Sequence, residues 1–148
     1  MTRIRVEREI PVPVEVVFRA VTDIERLPDT NPEIVSVEFQ SEQRTGVGTR
    51  FRETRRMGKR EMATDLEVTE FVDNERARMV ADSHGTVWDT VFTFVPSARG
   101  TAFAMEMDAR GHKLFNRIMN RIMSPMFRRG MLKHLVQLER YCVEQAGR

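Results

Sequence analysis

Apolar and polar positions change period twice along the chain. Ile4, Val6 and Ile10 alternate with Arg3, Arg5, Glu7 and Glu9, which predicts a strand with one wet face. Val14, Val17, Phe18 and Val21 then recur at helical spacing behind Pro13, a residue suited to a first helical turn. Thr22 and Glu25 stand at capping-box spacing, predicting a second short helix that Leu27-Pro28-Asp29 ends. From Glu33 to Arg110 the period falls to two, interrupted by turn chemistry at Thr45 to Gly48, Met57-Gly58-Lys59, Asp73-Asn74, His84-Gly85 and Pro96 to Gly100. Six strands without a helical spacer predict an antiparallel meander. Lys113 to Gln145 is helical again. Straight, it would run about 50 Å, in a domain of this length roughly 38 Å across. A break is therefore expected at Ser124-Pro125, with serine as N-cap and proline at the first helical position. The pattern as a whole predicts one α+β domain over residues 1–148, a curved antiparallel sheet of about seven strands packed on a long C-terminal helix.

Charge complementarity sets the faces. Pairing Arg56 with Glu61 brings Arg52 opposite Asp65 and Arg50 opposite Glu67, and a slip of one residue destroys all three pairs. That face is expected in solvent. The other carries Phe51, Met62, Leu66 and Val68, with Glu53 and Thr64 as inward polar groups. A two-residue loop at His84-Gly85 pairs Ala81 with Trp88, Met79 with Thr90 and Ala77 with Phe92, small against large. On the last strand Phe103, Met105 and Met107 form the inner set. In the terminal segment Phe127, Met131, Leu135, Leu138 and Cys142 share one stripe, with Gly130, His134 and Tyr141 at its edge. Before Pro125, the residues Leu114, Phe115, Ile118, Met119, Ile122 and Met123 are expected to form the buried face.

Composition then narrows the class. The 148 residues are 41% apolar and 31% charged, enough for a core and too apolar for disorder. A lone Cys142 forms no internal disulfide and the start, MTRIRVERE, does not read as a secretory signal, so the expectation is a cytoplasmic protein. The net charge of +2 is no nucleic-acid footprint by itself. It is unevenly spread, however. Between Asp108 and Glu139 there is no acid, while Arg110, Lys113, Arg117, Arg121, Arg128, Arg129 and Lys133 supply seven positive charges on the expected pair of helices. Such a face suits an anionic membrane, an acidic protein or a ribosome, or is simply a solvated surface.

Ile10-Pro11-Val12-Pro13 running into Val16-Val17-Phe18 and Thr22-Asp23-Ile24, then Gly46-Val47-Gly48-Thr49, Gly100-Thr101, and Leu135-Val136-Gln137-Leu138-Glu139 resemble, in that order, the START-like helix-grip superfamily. The likeness is to its polyketide cyclase/dehydrase and lipid-transport branch and spans about residues 2 to 144. The segment Leu27-Pro28-Asp29-Thr30-Asn31-Pro32 departs from the pattern by lacking the aromatic that many relatives carry after it. The resemblance implies a sheet curved round the long helix, with an apolar cavity between them for lipids, sterols, polyketides or other hydrophobic small molecules. The leading expectation is a protein that holds a lipid, quinone or polyketide-like molecule there without a cofactor.

Within such a cavity the ligand would meet Phe51, Met62, Leu66, Met79, Phe92, Phe103, Met105 and Met107 from the sheet, and Phe127, Met131, Leu135 and Leu138 from the helix. Thioethers suit a pocket that adapts to differently shaped ligands, and they also fill solid cores. Glu53 reads either as a general base or ligand-orienting carboxylate, or as an ion-pair partner of Arg55 at the cavity mouth. Thr64 and Thr90 could bond a ligand or their own strands, Trp88 could stack on it or fill the core, and His134 with Tyr141 could form a polar end. Three readings follow: a binding protein; a cyclase or dehydratase using Glu53 with Thr90 or His134; and an interaction protein using the basic 110–133 surface. His84, His112 and His134 have no metal-ligand spacing, and no phosphate loop or nucleophile motif is present.

Overall fold

The structure, a computed structural model, describes residues 2–147. Strand β1 (Thr2–Ile10) leads to helix α1 (Val14–Thr22), a 3-10 turn at Ile24–Arg26 and a short helix α2 (Leu27–Thr30). Six strands follow, β2 (Ile34–Phe39), β3 (Arg50–Met57), β4 (Arg60–Val72), β5 (Arg76–Ser83), β6 (Thr86–Ser97) and β7 (Gly100–Gly111), and then helix α3 (Leu114–Ala146). One antiparallel sheet runs β1-β7-β6-β5-β4-β3-β2, so the meander returns to the first strand at its far edge.

The register is the one the charges dictate. Arg56, Arg52 and Arg50 stand opposite Glu61, Asp65 and Glu67, and the Arg52 guanidinium reaches Asp65 at 2.7 Å. Ala81 faces Trp88 and Met79 faces Thr90 across a turn in which His84 and Gly85 take φ of 53° and 81°, the twist a two-residue hairpin needs. Gly100 opens β7 at φ 150°, and a Cβ there would lie 2.5 Å from the Ile10 carbonyl oxygen and 2.6 Å from the Val12 nitrogen. Thr101 Oγ1 then donates to the Val12 carbonyl at 2.8 Å. The Gly100-Thr101 pair thus fastens the β1–α1 corner to the last strand.

The sheet's inner face, α1 and the second half of α3 enclose the core. Phe18 meets Phe71 and Phe94 edge-on with centroids 5.2 and 5.0 Å apart, and Phe51, Phe103, Leu135 and Leu138 are fully buried beside Ile10 and Cys142.

Three expectations fail. Thr22 caps no second helix; it ends α1, and its hydroxyl donates back to the Phe18 carbonyl at 2.7 Å. Nor does the terminal segment break: α3 is one helix of 33 residues with Pro125 inside it. Proline leaves the Arg121 carbonyl without its usual N–H partner. The Ser124 hydroxyl supplies a replacement, donating to that carbonyl at 3.0 Å, on a side of the helix open to water. The first half of this continuous helix is also less well covered. The expected buried face there is exposed, with Leu114 and Phe115 at 70% and 71%, and Ile118, Met119 and Ile122 also in solvent. Of the expected set Met123 alone turns inward, in line with Asn116, Asn120 and Phe127.

Candidate functional site

The inner face of the sheet is closed at one end and open at the other. Among the strands, α3 packs closest on β1 and β7. There Met79, Phe92, Phe103, Met131, Leu135 and Leu138 are buried in the core, as is Phe51 on β3. Towards the β3–β4 and β5–β6 turns the inward side chains are less well covered. Thr64, Leu66, Trp88, Thr90, Met105, Met107 and Phe127 are half-buried, and Met62, although it points inward beside Glu53 and Thr64, is 38% exposed. Every sequence-predicted site residue therefore lies on the inner sheet face or on α3, divided between packed core and open flank. Trp88 is tied down on both sides: its indole N–H donates to the Ser83 carbonyl at 3.3 Å and its ring meets Phe127 edge-on at 5.2 Å. Of the methionines expected inside, Met62 and Met119 are exposed.

A polar cluster borders this open flank. Asn31, held by the α2–β2 turn and almost wholly buried, accepts the Glu33 backbone N–H on Oδ1 at 3.0 Å. That bond fixes the amide's orientation, so its Nδ2 is the atom that faces His134 Nδ1 at 2.9 Å. Nδ1 must then accept, the imidazole proton sits on Nε2, and His134 presents an N–H donor. Burial, and secondarily the Arg55 charge, push the His134 pKa down to about 4. The ring is neutral at physiological pH.

Arg55 links this pair to β3. Its guanidinium forms an ion pair with the carboxylate of Glu53, the inward acid two residues earlier, which is 8% exposed. Glu53 is thus inward as expected and paired as the second of its two readings required. Thr90 does not join it: β6 lies three strands from β3 in the sheet order, about 14 Å at standard strand spacing. Of the acid/base candidates, the fold brings Glu53 and His134 together, with Arg55 between them. Asn31 was missed by sequence reasoning, since before Pro32 it reads only as a turn residue. Asn120 was missed too, although its amide donates to Thr86 Oγ1 at 3.1 Å beneath the first half of α3.

The outer face differs in kind. A hollow of about 220 Å³ there is lined by Arg3, Arg76, Arg78, Asp89, Val91, Glu106 and Asp108, whose charges answer one another. Arg78 grips Asp89 with bonds of 2.8 and 2.6 Å, and that fork, with help from Arg110, holds the Asp89 carboxyl below the usual carboxylate range. Among the described residues no group of three or more His, Cys, Asp or Glu side chains could hold a metal ion, and no helix is long and apolar enough to cross a membrane.

Residues 1–143 match the family model described as polyketide cyclase / dehydrase and lipid transport. No curated protein matches. Among solved structures, one from Thermus thermophilus is 22% identical with a TM-score of 0.79, covering 97% of this chain and 99% of that one. The di-domain ARO/CYC StfQ of the steffimycin biosynthetic pathway superposes at TM-score 0.79 with 10% identity, over 99% of this chain and 52% of its own. A norcoclaurine synthase of Thalictrum, in complex with a transition-state analogue, is 17% identical at TM-score 0.74, over 98% and 96%. At such identities these likenesses speak for the fold alone. All superpose on this chain's antiparallel sheet and long C-terminal helix over nearly its whole length.

Proposed function

The chain belongs to the polyketide cyclase/dehydrase and lipid-transport family, and from that premise we propose that it binds a hydrophobic small molecule against the open flank of its inner sheet face. The observation that carries this reading is the set of inward apolar side chains that the fold leaves only partly covered, with Leu66, Trp88, Met105, Met107 and Phe127 half-buried and Met62 exposed. Such groups point inward for a reason, and burying them under a ligand would contribute about 25 cal/mol per Å² removed from water. The polar end of the ligand would face His134 and Arg55. A neutral imidazole offering Nε2–H suits a carbonyl or hydroxyl oxygen, while Arg55, already paired with Glu53, adds charge with little net gain for an anion. The commitment of Glu53 to Arg55, and its distance from Thr90, favour binding over acid/base turnover.

Trp88 is the sole tryptophan, so its emission reports on this surface directly. After solvent extraction, the protein is titrated with fatty acids, quinones and polyketide-like aromatics. A ligand of this site changes Trp88 fluorescence, stays bound in native mass spectrometry and, at a hundredfold excess over its dissociation constant, adds about 2.7 kcal/mol of stability. If no compound class does any of these, and Met62→Ala and Leu66→Ala leave every readout unmoved, the reading is wrong.

A further inference from the structure

The first half of α3 is amphipathic in the sense opposite to that of a helix packed on its own domain. Its polar side is the one held to the body. Asn120 bonds Thr86, Arg117 Nε donates to the Gly111 carbonyl at 3.2 Å, and Asn116 sits over the β5–β6 turn so closely that a Cβ on Gly85 would stand 2.7 Å from its amide. Its apolar side faces outward: Leu114, Phe115, Ile118, Ile122 and Met126 are exposed by 70, 71, 49, 64 and 46%. At helical period this outward set centres nearly opposite the inward line of Asn116, Asn120, Met123 and Phe127. Scattered exposed leucines need no explanation, whereas five large side chains in one stripe do.

The neighbouring charge selects the occupant. Arg121, Arg128 and Arg129 are exposed, and among the described residues none has a carboxylate within ion-pair distance. A second copy laid on this face would set the same acid-free basic segment against itself, like charge on like. Large apolar side chains flanked by unpaired arginines are instead the pattern of a helix lying in the boundary between lipid headgroups and acyl chains. We propose that the Leu114–Met126 face of α3 docks on an anionic lipid bilayer, its apolar stripe entering the acyl boundary and Arg121, Arg128 and Arg129 lying among the headgroups. This docking stands on the surface alone and does not require that the inner face hold a ligand.

The test is co-sedimentation of the full chain with vesicles of phosphatidylcholine alone or mixed with phosphatidylglycerol, across a salt series. Binding to the mixed vesicles only, weakening with salt, is expected. Arg121→Glu, Arg128→Glu and Arg129→Glu together lower the partition coefficient by roughly 100-fold or more. Phe115→Ser, Ile118→Ser and Ile122→Ser abolish it, with circular dichroism confirming that both variants fold. The proposal is overturned if the wild type ignores the mixed vesicles, or if neither variant weakens binding. It is equally overturned if the wild type is a dimer that the serine variant converts to a monomer, or if it pellets with ribosomes or an acidic polypeptide but not with vesicles.

Discussion

The Asn31 amide donates to His134 Nδ1 at 2.9 Å across 103 positions of sequence, joining the α2–β2 turn to the middle of α3. Because Oδ1 is already taken by the Glu33 backbone N–H, the amide cannot turn over without losing a bond. One buried side chain thereby decides which imidazole nitrogen carries the proton. Asn31→Ala should release that choice. Long-range ¹⁵N NMR of the imidazole is expected to show a nearly pure Nε2–H tautomer in the wild type and a mixture in the variant. The loss of two bonds to a buried amide should cost about 1–3 kcal/mol in urea unfolding. A tautomer signal unchanged in Asn31→Ala would show that the ring is oriented by something else.

His134 also makes stability depend on pH in a defined window. Its folded pKa, near 4, lies below the ordinary 6.5, so the unfolded chain takes up the proton first. Stability is then whole above about pH 6.5 and falls as pH drops towards 4, approaching roughly 1.4 kcal/mol per unit where only the unfolded form is protonated. Asp65 and Asp89, whose pKa values are also lowered but from 3.8, lose their contribution only below that window. Urea midpoints of wild type and His134→Gln measured between pH 7 and 4.5 should diverge, the variant staying flatter. Parallel curves would remove the buried imidazole from the account.

How much was legible depended on whether a residue's partner was near in register or far in fold. The β3–β4 alignment is encoded in Arg52 and Asp65, which only one register can bring together, and His84-Gly85 names its turn by chemistry. Glu53 follows as inward because its neighbours on either side are committed outward. The α3 surface was different. Periodicity finds an apolar stripe at Leu114, Ile118 and Ile122 but is silent on which way the stripe turns. The deciding contacts, Asn116 on Gly85 and Asn120 on Thr86, join segments more than thirty residues apart. Asn31 was invisible for the same reason.

Cys142 is buried among the α3 core residues, and burial, with Glu139 nearby, pushes its thiol up to about 12. It should therefore be inert in the folded protein. Ellman's reagent at pH 8 is expected to titrate no thiol until denaturant is added, and the reaction rate should track the opening equilibrium. Rapid labelling under native conditions would place this helix face in solvent.

Gly100 leaves no alternative for its neighbours. A Cβ there would press on backbone atoms of Ile10 and Val12, which cannot swing aside as a side chain could, and φ of 150° is itself unfavourable for alanine. Gly100→Ala should cost about 3 kcal/mol by strain and overpacking. Thr101→Val, removing only the bond to the Val12 carbonyl, should cost about 1 kcal/mol, leaving a buried acceptor unpaired. Equal costs for the two would mean that the corner is fastened by the hydroxyl and not by the close backbone approach.

The unbroken α3 makes its own prediction at Pro125. At a true helix start, proline in the first turn is favourable, and Pro125→Ala would be neutral or destabilising. Inside a continuous helix the same change restores the N–H to the Arg121 carbonyl. It should then raise stability by about 1–2 kcal/mol, less than the roughly 3 kcal/mol that an uncompensated interior proline costs, because Ser124 already serves that carbonyl. Ser124→Ala discriminates further. It should cost about 1 kcal/mol beside Pro125 and almost nothing in the Pro125→Ala background, a coupling that a double-mutant cycle isolates. Additive effects, or a loss of stability in Pro125→Ala, would split the helix at this point and with it the outward stripe from Leu114 to Met126.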